Sequence, residues 1–355
     1  MTLSSAGAIR DALDLALADV PLRQECALLD YPAYPNIGDH MIWLGEVLYV
    51  TTVRRVKIRF AASLDEPLSL PGGVPILLSG GGNLGDLWPA HQNFRERIIR
   101  QYRDRPIVIM PQTMYFRDQA KLLKAAAAFN AHPDLTILIR DERSLEAARQ
   151  AFGNCRVLLA PDMAFELTGR IDFTRKPLQK TSGLYHCRTD PEQPPGVSAD
   201  YLGLSHLNIS DWISTRRSLQ AIQWELSGRF RTARALLRLA KEIARDPINR
   251  LTEWRAWREA SVRLSLDDLP RPELHRKSWP LLHAGAWQFQ RYPAIVTNRL
   301  HGHILCTLLG IPHVLLPNSY YKNEAFYRTW ARGIPFCRFE SDPRAAKGAL
   351  AELVR

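Results

Sequence analysis

The chain has 355 residues, 46% of them hydrophobic, which suffices for two domains of ordinary size, each with its own core. A formal charge of +11 and a pI near 9.6 point to an anionic partner: a phosphorylated small molecule, an anionic lipid or a nucleic acid. No run reaches the roughly 18–20 apolar residues of a spanning helix. The five cysteines (Cys26, Cys155, Cys187, Cys306, Cys337) are scattered and lack a CxxC pair, which argues against a disulfide scaffold or a thiolate zinc site and for a reducing compartment.

The first twenty residues carry Asp11, Asp14 and Asp19 within an apolar stretch and read as an amphipathic helix, not a signal peptide, so a cytoplasmic location is expected. CALLDY (26–31) reads as a strand and GDHMIWLGEVLYV (38–50) as a helix. Between them, Asn36-Ile37-Gly38-Asp39 has the chemistry of a helix cap, at a place where free N–H groups also face the ligand crevice of an open α/β sheet. VKIRF (56–60) and VPILLSG (74–80) read as strands, and a helix follows near 88–103.

Ser79-Gly80-Gly81-Gly82-Asn83-Leu84-Gly85-Asp86 formally satisfies GxGxxG, but it follows the third candidate strand and no acid ends a strand about twenty residues on. A phosphate or sugar cradle, or a tight structural turn, suits it better than a dinucleotide site. PIVIMP (106–111), a helix through 117–129, LTILIR (135–140), a helix through 143–151 and VLLAPD (157–162) continue the alternation. Short apolar runs spaced by helices indicate a parallel sheet covered on both faces, in a first α/β domain over 1–172. Arg140 ends one such run beside Asp141 and suits an anion clamp or a surface ion pair, whereas Asp162 in Ala160-Pro161-Asp162-Met163 reads as mainly architectural.

A polar, basic stretch near 170–180 reads as a linker into a second α/β domain, 173–355, with strands at SGLYHCR (182–188), AIVTN (294–298) and HVLLP (313–317). Residues 211–262 read as a helical insert. Over 211–263, twelve Lys/Arg face six Asp/Glu, with tryptophans interleaved, which fits a solvated basic face or an anionic membrane surface better than nucleic acid. The most informative stretch is Thr297-Asn298-Arg299-Leu300-His301-Gly302-His303, followed by Lys322 past the next strand. Two cations and an imidazole at strand ends suit a substrate bearing both carboxylate and phosphate, with the imidazole moving a proton. Neither His186 with Cys187 nor His301 with His303 has the ligand count or spacing of a metal site, so none is expected.

NIGDHMIW (36–43), SGGGNLGD (79–86), IRDERS (139–144), APDMAF (160–165), TNRLHGHILCTLLGIPHVLL (297–316) and YYKNE (320–324) resemble the polysaccharide pyruvyl transferase family over roughly 30–330. The resemblance implies two Rossmann-like domains facing a central cleft, as in B-type glycosyltransferases. It also implies transfer of pyruvate from phosphoenolpyruvate to two hydroxyls of a sugar as a cyclic ketal, with phosphoenolpyruvate the co-substrate and no further cofactor. Arg299, His301, Lys322 and Arg140 would form the phosphoenolpyruvate site. Arg188 would join them, although YHCRTDPE departs from the family's usual pattern there. His301 would protonate the methylene carbon, Asp39 is a candidate base, and Asn36, Gly81, Gly82 and Asn83 would face the acceptor. That acceptor would be a polyprenyl-diphosphate-linked oligosaccharide at the inner membrane face. Two other readings stand beside this one: a nucleotide-sugar glycosyltransferase, and a non-catalytic sugar- or lipid-binding component of polysaccharide assembly.

Overall fold

The computed structural model describes residues 3–22, 24–169, 182–188, 192, 198–212, 262 and 264–354. The stretch read as an interdomain linker falls outside them. So does the basic segment read as helical over 211–262, apart from Asp211, Trp212 and Val262.

Helix α1 (Ala6–Leu17) starts where Ser5 Oγ accepts from Ala8 N at 3.1 Å, and it buries Ile9, Leu13 and Leu17 along one face. Seven parallel strands form the first sheet: β1 (Glu25–Tyr31), β2 (Lys57–Ser63), β3 (Ile76–Leu78), β4 (Gly81–Gly85), β5 (Ile107–Tyr115), β6 (Leu135–Ile139) and β7 (Arg156–Leu159). Their order is β2-β1-β3-β5-β6-β7, with β4 also on β5. Helices α2 (Ile37–Leu48), α3 (Pro89–Gln101), α4 (Gln119–Asn130) and α5 (Glu142–Ala151) supply the crossovers. The apolar runs of β1, β3, β5 and β6 are almost wholly buried, as expected of central parallel strands.

The glycine-rich stretch differs from its sequence reading: it is a strand, not a turn. β3 and β4 run in succession along β5, Ile76 pairing with Ile107 and Gly81 with Gln112. Gly85 has φ +142°, and a β-carbon there would lie 1.8 Å from the carbonyl oxygen of Tyr115. At Gly80 and Gly85 a side chain is excluded because the two backbones nearly touch.

The second sheet has five short parallel strands: β8 (Leu184–His186), β9 (Asn208–Ser210), β10 (Ile295–Thr297), β11 (His313–Leu315) and β12 (Cys337–Phe339), in the order β12-β11-β10-β8-β9. Helices α6 (Pro272–Phe289), α7 (Leu300–Leu309), α8 (Lys322–Phe326) and α9 (Ala346–Val354) accompany it. The whole is a mixed α/β structure with two parallel sheets.

Helix α2 carries the first sheet's apolar face onto α6. Met41, Trp43, Leu281, Leu282 and Leu305 belong to one continuous buried cluster. Trp43 Nε1 donates to His275 Nδ1 at 3.1 Å, and His40 Nδ1 lies 2.9 Å from Ser278 Oγ. Burial holds the His40 ring near a pKa of about 3, so this seam is neutral at physiological pH. Among the described residues, no helix is long and apolar enough to cross a membrane.

Candidate functional site

A cavity of about 620 Å³ is lined by residues that follow strands of both sheets: Gly82 and Asn83 around β4, Arg140 after β6, Arg188 after β8, and Arg299 with His301 after β10. Lys322, Asn36 and Asp39 line it too, as do Glu192, Asp211, Tyr34, Trp88, His91 and Trp212. Of the ten candidate residues named from the sequence, only Gly81 is not on the wall. A side chain there would point toward Ile42 and Asp39.

Arg140 is the deepest cation. Its Nε donates to Thr113 Oγ1 at 2.9 Å and its Nη1 to the carboxylate of Asp162. Asp162 is fully buried, which raises its pKa. The Arg140 charge beside it, helped by His301 and by the N–H of Ala164, outweighs that and holds the carboxyl near 2. Gly82 explains how the backbone reaches the cations: a β-carbon there would lie 3.0 Å from Arg140 Nη2 and 3.4 Å from Lys322 Nζ. Gly82, read as an acceptor contact, lies against Arg140 and Lys322.

Lys322 begins α8 and is buried, with its ammonium on Glu192. Burial pulls its pKa down to about 8, with Arg188 and Arg140 acting in the same direction and Glu192 against it. The other Glu192 oxygen lies 3.1 Å from Arg188 Nη2, while the Arg188 N–H donates to Asn298 Oδ1 at 2.8 Å. Arg299 forks onto Asp211, with Nη2 to Oδ2 at 2.6 Å. Each cation thus sits against one carboxylate: Arg140 on Asp162, Lys322 and Arg188 on Glu192, and Arg299 on Asp211. His186, fully buried behind them, is kept neutral by burial and by Arg299, at about 3, and its Nδ1 lies 3.0 Å from Thr297 Oγ1.

His301 stands on the first turn of α7, whose N-terminus carries no side-chain cap and faces the cavity. Its ring is wedged against α2, because a β-carbon on Gly38 would lie 2.2 Å from Nδ1. Its Nε2 lies 3.5 Å from Asp162 Oδ2, an ion-pair separation without a hydrogen bond. Asn36 caps α2: Oδ1 accepts from Gly38 N at 3.1 Å, and Nδ2 donates to Asp39 Oδ2 at 2.8 Å. One cavity therefore holds three arginines just past strand ends, the lysine that begins α8, an uncapped helix N-terminus and a histidine beside a buried carboxylate. Such a wall can hold an acid of high charge density and pass it a proton.

Residues 36–320 match the sequence model of the polysaccharide pyruvyl transferase family. The chain belongs to that family. This polysaccharide pyruvyl transferase is 30% identical over 338 residues to "Putative pyruvyl transferase EpsO" of Bacillus subtilis, covering 93% of this chain and 92% of that protein. It is 27% identical over 330 residues to "Pyruvyl transferase 1" of Schizosaccharomyces pombe, covering 87% of this chain and 70% of that one. Among solved structures, a functionally uncharacterized protein of Klebsiella pneumoniae superposes with a TM-score of 0.54 at 19% identity, over 94% of this chain and 98% of that one, and so shares the fold. Membership makes the protein a transferase of pyruvyl groups that acts on a polysaccharide.

Sequence reasoning missed several groups of the transferase's cavity. Glu192 and Asp211 sit in polar stretches with no periodicity to mark them. Asp162, read as architectural, does cap the short turn Met163–Leu167, but its other oxygen meets Arg140. Asn83 faces the cavity, yet its side-chain oxygen accepts from Gln112 Nε2 at 3.0 Å and from Arg95, so the protein already uses it. His91 and Asp30, 61 residues apart, meet at 2.8 Å. His303 does not join His301 but meets His313 and Cys337, the three ligand-type atoms all lying within 4.8 Å of one another. Hydrogen bonds already join the rings there, His303 Nδ1 lying 2.8 Å from His313 Nε2.

Proposed function

We propose that the donor is phosphoenolpyruvate and the product a cyclic pyruvate ketal on a sugar of a polyprenyl-linked repeat unit. The observation that carries this reading is the meeting of Arg140, Arg188, Arg299 and Lys322 with His301 on one cavity wall. Phosphoenolpyruvate has a carboxylate and a phosphate on one carbon. It matches guanidinium forks and an uncapped helix end better than a nucleotide sugar does, since that would require a base-binding pocket as well. We also read residues 1–172 and 173–355 as two units with the donor held between them, because the lining residues come from both. The basic segment 211–262 is read as the part that faces an anionic membrane surface, which would keep the protein at the inner face of the cytoplasmic membrane.

In this mechanism His301 gives a proton to the methylene carbon, leaving C2 cation-like, and one sugar hydroxyl adds to C2. Phosphate then departs with the electron pair of its C2–O bond, and the neighbouring hydroxyl closes the ketal. The cations hold the carboxylate and the charge that grows on phosphate as it leaves. Asp162, 3.5 Å from Nε2, stabilises the protonated imidazole before transfer. Asn36, Asp39 and Trp88 line the acceptor side, where the indole offers an apolar face to a sugar ring.

The test is phosphate release from phosphoenolpyruvate with galactoside, glucoside and mannoside acceptors, free and lipid-linked. Acceptor-dependent release that is lost in His301→Ala supports the reading. Nucleoside diphosphate release from a nucleotide sugar, with no turnover of phosphoenolpyruvate, refutes it.

A further inference from the structure

Two protons must leave the acceptor hydroxyls as the ketal forms, and His301 is already engaged in giving one to carbon. On that reading of the reaction, we propose that the base is His91, positioned by Asp30.

His91 lies on the first turn of α3 and lines the cavity beside Trp88 and Tyr34, with its side chain 10% exposed. Its Nδ1 lies 2.8 Å from Asp30 Oδ1, and among the described residues this is the ring's one hydrogen bond. An ionised carboxylate accepts only, so Nδ1 carries the proton and Nε2 presents its lone pair toward the cavity. A carboxylate fixes the tautomer of a catalytic imidazole, and stabilises the imidazolium that forms, in this same way.

Asp30 is itself built into place. It is a non-glycine residue at φ +70°, at an irregularity of β1 where the pairing of Leu29 with Ala62 passes to that of Tyr31 with Ser63. A non-glycine residue in that conformation is strained and persists only where the surroundings enforce it. The enforcement is visible: Arg95, fully buried, donates from Nη2 to Asp30 Oδ2 at 3.1 Å and from Nη1 to the carbonyl of Asn83 at 2.9 Å. Arg95 gives the second oxygen of Asp30 a buried counter-charge, leaving the first for the imidazole.

The other titratable groups nearby are less suited to this step. Tyr34, edge-on to His91 at 5.9 Å, is held protonated by burial, with Asp39 and Asp30 adding to it. Asp39, in the first turn of α2, already accepts from Asn36 Nδ2 at 2.8 Å within the cap of that helix, so one of its oxygens is engaged.

The balance closes. The first hydroxyl forms one C2–O bond and gives its proton to His91, which releases it to the departing phosphate. The second hydroxyl then forms the other C2–O bond and gives its proton to the freed imidazole, from which His301 is reprotonated through solvent. One proton equivalent ends on the methyl carbon, the other leaves with phosphate, and the phosphate takes the electron pair of the broken bond.

The experiment compares wild type, His91→Gln, His91→Ala and Asp30→Asn for phosphoenolpyruvate binding by calorimetry and for acceptor-dependent phosphate release between pH 5 and 9. The expected result for His91→Gln is unchanged donor affinity, turnover down on the order of 10²- to 10⁴-fold, and loss of the acid limb of kcat/KM for the acceptor. The expected result for His91→Ala is partial recovery with added free imidazole, which a structural role would not produce. Asp30→Asn should bind donor normally and shift that acid limb. His91→Gln turnover within threefold of wild type, or an intact acid limb, overturns the assignment while leaving pyruvyl transfer standing. Wild-type protein that releases no phosphate from phosphoenolpyruvate overturns both.

Discussion

The imidazole of His301 rests on the bare α-carbon of Gly38: a β-carbon there would fall 2.2 Å from Nδ1 and 2.6 Å from the histidine's own Cβ. The contact ties the first turn of α7 to the first turn of α2, so the position of His301 depends on a helix that follows the other sheet's first strand. Because the clash reaches the histidine's Cβ, no rotamer change relieves it, and the whole residue must move. Gly38→Ala should cost about 1–3 kcal/mol in stability. It should lower kcat on the order of 10²-fold, the penalty for misplacing a reacting group by about 1 Å. Denaturant titration and steady-state kinetics check this, and a variant with wild-type kcat would show that His301 is not the proton donor.

Arg140 and Asp162 form a pair with almost no exposure, so neither charge has water to fall back on. Asp162→Asn should destabilise the protein by about 3–5 kcal/mol, because it leaves a buried guanidinium uncompensated. The effect has a pH signature. The folded-state pKa is depressed from 3.8 to about 2, so the ion pair's contribution is fully present above 3.8 and is lost as pH falls through 2. That span amounts to about 2 kcal/mol. The stability gap between wild type and variant should therefore be constant from pH 5 to 7 and narrow toward pH 2. A gap that does not change with pH would contradict it.

Glu46 behaves in the opposite sense. It is fully buried on α2, where Oε1 accepts from Gly80 N at 2.7 Å and no cation among the described residues forms an ion pair with the carboxyl. Burial raises its pKa from 4.5 to about 8, outweighing the lowering from the Gly80 and Ser79 hydrogen bonds. A carboxyl whose folded pKa lies above its unfolded value costs stability as pH rises from 4.5 to 8 and no more beyond, with a ceiling of about 5 kcal/mol. Glu46→Gln keeps the accepting oxygen and removes the charge. It should match wild type near pH 4 and be the more stable protein at pH 8, by thermal melts at both. Equal melting temperatures at pH 8 would show that Glu46 finds a counter-charge.

Which parts of this were legible beforehand follows from what carries periodicity. CALLDY, LTILIR and the helix through 143–151 announced β1, β6 and α5 to within two residues, because buried parallel strands are continuous apolar runs. β4 was invisible, since glycines chosen for close backbone approach carry no strand pattern. β9 and β12, with three residues each, are too short to show one, and α6, which seats α2, fell in a stretch left unassigned. The site divides the same way. Arg140, Arg299, His301 and Lys322 stood out because open α/β sheets place ligand contacts at strand ends. Glu192 and Asp211, their carboxylate partners, and the Asp30–His91 pair become visible only when distant segments are brought together.

Lys322 supplies a last prediction, because its charge is conditional. Burial lowers its pKa to about 8, and Glu192 works in the other direction. A lysine depressed in this way is charged below that value and neutral above it. The free enzyme's affinity for a donor carrying both phosphate and carboxylate should therefore fall as pH climbs through 8, seen as an alkaline limb in kcat/KM for phosphoenolpyruvate. Lys322→Gln should abolish that limb and lower kcat/KM by about 2–4 kcal/mol in transition-state terms, as expected when a contact to developing charge is lost. Glu192→Gln removes the group that holds the ammonium protonated, so the limb should move to lower pH. The same substitution frees Lys322 and Arg188 from a carboxylate that competes with the substrate, so donor affinity on the acid side of the shifted limb should rise. The two effects have opposite signs at the two ends of the pH range, which separates them from simple damage to the fold. A Glu192→Gln variant that binds donor more weakly at every pH would mean that Glu192 organises the cations and does not compete for them.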